Sequence, residues 1–186
     1  NSLNSIADYI GRNDLSAADS YLTRFARLMR LILENSEQKE VSLADDLKAL
    51  ELYMQLESMR LNDKFSYSIT VDENIDPANT LVPSLLLQPF VENSIWHGIS
   101  RREGRGKIVV RITSDNNTLT CIVEDNGVGR NYTPVADAGK RSLGMKITRE
   151  RIEVLNQSKN ANASLTLYDL AEGLRAELTL PLETVF

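Results

Sequence analysis

The chain has 186 residues, enough for one sizeable domain or a domain with a helical extension. Its 26 acidic against 21 basic side chains, a net charge of −5, deny it the basic surface of a general nucleic-acid binder. The single cysteine, Cys121, excludes an intramolecular disulfide framework and a multi-cysteine metal site, which is compatible with a reducing compartment. No apolar run approaches the ~20 residues of a membrane span and no signal peptide is visible, so proteins and small ligands are the expected partners.

From Leu3 to about Asn62 the pattern is helical. A short helix runs to Gly11, and Gly11-Arg12-Asn13-Asp14 supplies a break. A second helix from near Leu15 to about Asn35 places Ala18, Leu22, Phe25, Leu28 and Ile32 on one face, with Arg24, Arg27 and Arg30 off it on a solvated side. Ser42 with Asp45 three places on starts a third helix. Along that helix Leu43, Leu47, Leu50, Met54 and Leu61 keep four-and-three spacing, interrupted by Glu57, an acid in an apolar seam. Leu52, Leu56 and Met59 form a second stripe, so the helix packs on more than one neighbour. The hairpin of long helices fits either pairing with another copy of the chain or an intrachain bundle.

At Phe65 the period changes to two, which marks a strand and a second domain from about residue 63, giving a division into 1–62 and 63–186. Pro83 is expected to open a helix that tolerates Pro89 as a kink. Strands follow at about Lys107–Thr113 and Thr118–Asp125, joined by a hairpin turn at Asp115-Asn116-Asn117. After a polar loop to Ser142 comes a helix from Leu143 to about Gln157, and then a hairpin of Ala163–Tyr168 and Leu174–Leu180 that ends the chain on a strand. The fold class is α+β: an N-terminal helical hairpin followed by a two-layer α/β sandwich with a mixed or antiparallel sheet.

The chemistry gathers in three places. In Pro89-Phe90-Val91-Glu92-Asn93-Ser94-Ile95-Trp96-His97-Gly98, an acid, an amide and the only histidine stand among apolar residues. On a continuous α-helix Leu86, Phe90, Asn93 and His97 would share one face. Taken alone, this fits a helix end as well as a ligand site. Asp125-Asn126-Gly127-Val128-Gly129 presents an acid at a strand end, able to accept from an exocyclic amine, with glycines that let a ligand approach the backbone; alone it is an ordinary turn. Ser142-Leu143-Gly144-Met145 opens a helix after Lys140 and Arg141, a place suited to an anion or to a charged surface loop.

In this order and spacing the three elements resemble the ATP-binding domain shared by histidine kinases, gyrase, Hsp90 and MutL, the GHKL or Bergerat fold. Glu92-Asn93 resembles the N box, Asp125-x-Gly127-x-Gly129 the first glycine box and Leu143-Gly144-Met145 the second. Leu87 to Gly98 and Arg149-Glu150-Arg151-Ile152 are similar to the LytS/YehU-type sensor histidine kinases. Asn1-Ser2-Leu3-Asn4-Ser5-Ile6 resembles the continuation of that family's phosphoacceptor motif, His-Phe-Leu-Phe-Asn-Ser-Leu-Asn, whose histidine would lie just upstream of Asn1. Together with the absence of a methionine at the start, this leads us to expect a piece of a longer protein.

The resemblance implies a cytoplasmic kinase core that transfers the γ-phosphoryl of Mg-ATP to that upstream histidine. Asn93 would bind Mg²⁺ through its amide oxygen. Asp125 would receive the adenine amino group, Gly127 and Gly129 would shape the base pocket, and Gly144, beside Leu143, would admit the phosphates. His97 would touch the nucleotide or hold the helix end, and Glu92 aligns with the acid that polarises water in ATPase relatives. Two departures stand out: Trp96 where many histidine kinases carry a phosphate-contacting lysine, and Ser142 where they carry glycine. Lys140, Arg141 or another residue would then supply the charge, or nucleotide affinity would be modest. The expected partners are ATP, a response regulator and a second copy, with no direct nucleic acid, and the parent is expected in the bacterial inner membrane through a region outside this chain. The rival readings are an ATP-hydrolysing switch of the gyrase or Hsp90 kind and a non-catalytic dimerisation module with a degenerate pocket.

Overall fold

The computed structural model describes residues 2–129, 150, 152–157 and 161–185. Helix α1 spans Ser2–Gly11 and α2 spans Leu15–Ser36, with Asn13 at φ 59° turning the chain between them. Asp14 caps α2 by accepting from the Ala17 amide at 3.0 Å. Helix α3, Leu43–Arg60, starts as expected at Ser42, whose hydroxyl accepts from the Asp45 amide at 3.1 Å. Asn62 and Asp63, both at positive φ, end that turn.

A five-stranded sheet follows the order β2-β4-β5-β7-β6, with β2 Phe65–Val71, β4 Gly106–Asp115, β5 Thr118–Asp125, β6 Ser164–Asp169 and β7 Leu174–Pro181. β2 pairs with β4 in parallel and the other neighbours are antiparallel, so the sheet is mixed. Asn116 and Asn117, at φ 46° and 63°, make the two-residue turn between β4 and β5 that the right-handed twist of the strands favours. Alternation puts Ile108, Val110, Ile112, Leu119, Cys121, Val123, Leu178 and Leu180 on one buried face. They pack with Leu50, Met54, Phe90, Val91, Ile95, Ile99 and Ile152 of the helical layer. Each such aliphatic side chain contributes about 1.5–3 kcal/mol when fully buried. Cys121 sits in this core, and burial pushes its thiol up to about 12, which leaves it an apolar filler.

Three expectations are corrected. Pro83 does not open a helix: it closes a short strand, β3 (Thr80–Pro83), which with β1 (Glu40–Ser42) and β8 (Glu183–Thr184) forms a second sheet in the order β1-β3-β8. Pro89 instead occupies the first turn of helix α4, Gln88–Asn93, where its missing N–H costs nothing, and Leu86 lies before that helix. The face drawn through Leu86, Phe90, Asn93 and His97 also fails beyond Asn93, because Ser94–Ile99 is wound as a π-helix with a wider turn. The third concerns α2: its buried stripe runs through Ala18, Tyr21 and Leu28, while Leu22 is 50 % exposed. Arg24 is half-buried and donates to Gln55 of α3 rather than standing free in solvent.

Helix α3 faces two ways, as its two stripes required. Leu43, Leu50 and Met54 join the core over the sheet, while Ala49, Leu52 and Leu56 join Tyr21 and Leu28 in the hairpin core. Its buried Asp46 accepts from the Leu85 amide at 2.6 Å and so ties down the loop, strained at Leu85 with φ 55°, that leads into α4.

Candidate nucleotide site

Asp125 ends β5 and is 4 % exposed. Its Oδ2 accepts from the Ser94 hydroxyl at 2.7 Å and its Oδ1 from the Gly127 amide at 2.8 Å. Burial pushes its pKa above the ordinary carboxylate value, against the pull of hydrogen bonds from Ser94, Gly127 and the Leu174 backbone. None of these partners is a cation, and its remaining lone pairs can accept from a further donor such as an amine N–H.

The loop after Asp125 lies hard against the π-helical segment. A Cβ on Gly127 would come within 2.4 Å of the Gly98 backbone, and one on Gly98 would meet Asp125 Oδ1 at 2.9 Å. The Val128 amide donates to the Gly98 carbonyl at 3.3 Å. From the other side Gly173, at φ +83°, brings the β6–β7 turn so near that a Cβ there would stand 1.9 Å from the Asp125 carbonyl oxygen. Asn126 holds the loop to β4, its Oδ1 accepting from the Lys107 amide at 2.7 Å. The acid is thus fixed by three elements before any ligand arrives.

Asn93 and Ser94 stand at a shallow recess whose other walls are apolar: Phe90, Val123, Leu167, Leu174 and Ala176. Asp125 and Gly127 do not line this recess; they meet the same helical stretch through Ser94, the residue after Asn93, and through Gly98. Gly129, at φ +70°, lies beside Gly173. Glu92 is placed differently: its carboxylate accepts from Gln88 Nε2 at 2.8 Å, and its charge acts on Tyr53 of α3. His97 is half-buried on the π-helical segment. Lys140, Arg141, Ser142, Leu143 and Gly144 lie outside the described residues, as do Arg149 and Arg151.

Sequence reading missed Ser94, Gly98 and Gly173. Gly98 closed the motif already singled out, and Ser94 stands four residues before it, so one helical turn relates them. The role of Gly173, some fifty residues from Asp125, carried no local signal beyond its turn. Also missed was the far side of the same helix. There the Arg60 guanidinium lies over the Trp96 ring, 3.8 Å from its centre, and pairs with Glu57, the acid of the apolar seam.

A histidine kinase family model matches residues 1–65. The sensor protein LytS of Staphylococcus saprophyticus is 30% identical over 186 residues, 97% of this chain and 31% of that protein. Over nearly its whole length the chain is similar to sensor histidine kinases. The sensor histidine kinase BtsS of Escherichia coli is 30% identical over 82% of this chain and 26% of its own length. The chain thus spans about a third or less of the curated relatives it matches. Among solved structures, the histidine kinase domain of the blue-light activated kinase EL346 from Erythrobacter litoralis superposes with a TM-score of 0.60 at 17% identity, over 95% of this chain and 85% of that one. The catalytic domain of histidine kinase ThkA gives 0.52 at 13% identity, over 76% and 94%. ThkA in complex with the response regulator protein TrrA gives 0.52 at 16% identity, over 97% and 57%. The α+β architecture is that of histidine kinase catalytic domains.

Proposed function

We propose that this chain is the ATP-binding core of a sensor histidine kinase, which transfers the γ-phosphoryl of Mg-ATP to a histidine that the motif at Asn1 to Ile6 places upstream. The carrying observation is Asp125: a buried acid with no cation among its partners in the described residues, held at both oxygens and wedged by Gly98, Gly127 and Gly173 beside the helix that bears Asn93. Such an acid suits an adenine amino group.

For the metal, no group of three or more His, Cys, Asp or Glu gathers as a cation site among the described residues. A single amide oxygen, from Asn93 at the recess, fits Mg²⁺, an ion that retains waters and shares substrate phosphates. Bound there, Mg²⁺ would supply charge neutralisation across the phosphates. Asn93 would orient it, Asp125 and Gly127 would orient the base, and Lys140, Arg141, Leu143 and Gly144 would meet the phosphates. Glu92, turned toward α3, would support the helix rather than take a proton.

Residues 1–62 would be a helical dimerisation part and 63–186 the nucleotide-binding part, joined closely because α3 packs in both cores and β1 pairs with β3. Leu15, Leu22, Met29 and Leu33 leave an apolar stripe exposed on α2, which supports pairing with a second copy. The response regulator seen with ThkA suggests the same class of partner here. No helix among the described residues is long and apolar enough to cross a membrane, so attachment of the parent to the inner membrane would use another region.

The test is incubation of the full-length protein with γ-labelled ATP and Mg²⁺. The proposal expects acid-labile, base-stable label on the protein. Bound ATP without label would favour a non-catalytic module, and steady phosphate release abolished by Glu92→Ala would favour an ATPase switch.

A further inference from the structure

Three parts of the chain meet at Arg60. It is the last residue of α3, and its Nε and Nη2 both donate to Glu57 Oε2. The side chains of Arg60 and Glu57 are only 16% and 11% exposed. The guanidinium covers the ring of Trp96, the one tryptophan of the chain, at cation–π distance. Tyr53, one helical turn before Glu57 on α3, stands near enough to Trp96, Glu57 and Arg60 for each to act on its hydroxyl, whose pKa burial raises. On its other side Arg60 lines a cleft with Asn4, Ser5 and Asp8 of α1, and the neighbouring Met59 carbonyl accepts from Tyr9 of α1 at 2.9 Å.

An ion pair withdrawn from water adds little net stability, and an apolar trio of the same volume would hold these helices as well. The polar version adds geometry. A guanidinium bonded twice to one carboxylate and stacked on a ring has its plane set from two directions, which neither lysine nor leucine could reproduce. Trp96 follows Asn93 by three residues, across the change from α- to π-winding. The cleft side belongs to the first turns of α1.

We propose that Arg60 is a positioning residue for phosphoryl transfer: clamped by Glu57 and stacked on Trp96, it sets the separation between the Asn93 helix and the start of α1. The proposal rests on the nucleotide reading given above. Arg60 acts through Trp96 and touches neither the base nor the metal. Its effect therefore falls on the transfer step more than on ATP affinity.

The experiment compares the full-length parent with Arg60→Met, Arg60→Lys, Trp96→Phe and Trp96→Leu. It measures the Mg-ATP dissociation constant, the single-turnover rate of phosphoryl incorporation and the melting temperature of each. Arg60→Met should leave ATP affinity within about threefold while transfer slows roughly 100-fold, the scale on which a ~1 Å misplacement of reacting groups acts. Arg60→Lys should recover only a minor part of the rate, because it keeps the charge and loses the plane. Trp96→Phe, which retains an aromatic face, should recover most of it, and Trp96→Leu should not. Should Arg60→Met fail to fold, the split between rate and affinity in Trp96→Leu decides. An unchanged rate, or equal loss of rate and affinity, would overturn the positioning role. A parent that bound no Mg-ATP would instead remove the nucleotide reading, and this one with it.

Discussion

Two buried polar clusters flank the same helix, and they are built in opposite ways. On the strand side Asp125 is held by a hydroxyl and a backbone amide, with no cation among its partners in the described residues. On the α3 side Glu57 is matched by Arg60, and the pair is closed by Trp96 and Tyr53. A cluster that satisfies itself has nothing left to offer a ligand. One that leaves an acid desolvated without a cation has stored a preference for a donor. The contrast supports the roles proposed above, recognition for Asp125 and placement for Arg60.

The comparison breaks most sharply at Glu57. Glu57→Ala leaves Arg60 buried without its partner and should cost about 3–5 kcal/mol, read by urea denaturation; a loss below 1 kcal/mol would mean the pair is not the closed unit described. Next comes Gly127→Ala, whose added methyl collides with the Gly98 backbone. Overpacking of this kind costs about 1–3 kcal/mol and should weaken Mg-ATP binding as well, whereas unaltered affinity would separate the loop from the site. The smallest effect expected is on pH dependence. Because burial raises the Asp125 pKa, the folded state holds that proton more tightly than the unfolded chain. The resulting stabilisation is full below the ordinary value of 3.8 and is lost as pH rises through the raised one. Asp125→Asn should remove that decline, matching or exceeding the parent in stability near neutral pH. A parent that gained stability as pH rose through that window, relative to Asp125→Asn, would contradict the assignment.

Much of this could be seen in the residues. The two stripes of α3 announced two cores, the Ser42 cap started that helix where expected, the alternation from Phe65 marked β2, and β4, β5 and β7 lie where strands were expected. The Asp125-Asn126-Gly127 stretch was located at a strand end without any fold. What escaped was either short or non-local. β1, β3 and β8 have three, four and two residues, too few for a period to show. The π-wound segment after Asn93 packs against Asp125 and Gly127, a contact from about thirty residues away that leaves no local signal. Glu57 did signal itself as an acid in an apolar seam, and Arg60 three residues later was its available partner. The stacking of Arg60 on Trp96 needed the third dimension.

The central claim is that Asp125 reads the base of ATP, and calorimetric titration of the chain with ATP in the presence of Mg²⁺ tests it most directly. Saturable binding that Asp125→Asn weakens by about tenfold or more, with the fold intact by circular dichroism, is the predicted result, since a hydrogen bond to a charged acceptor carries about 1.5–3 kcal/mol. No binding by the parent, or equal binding by parent and variant, would contradict it.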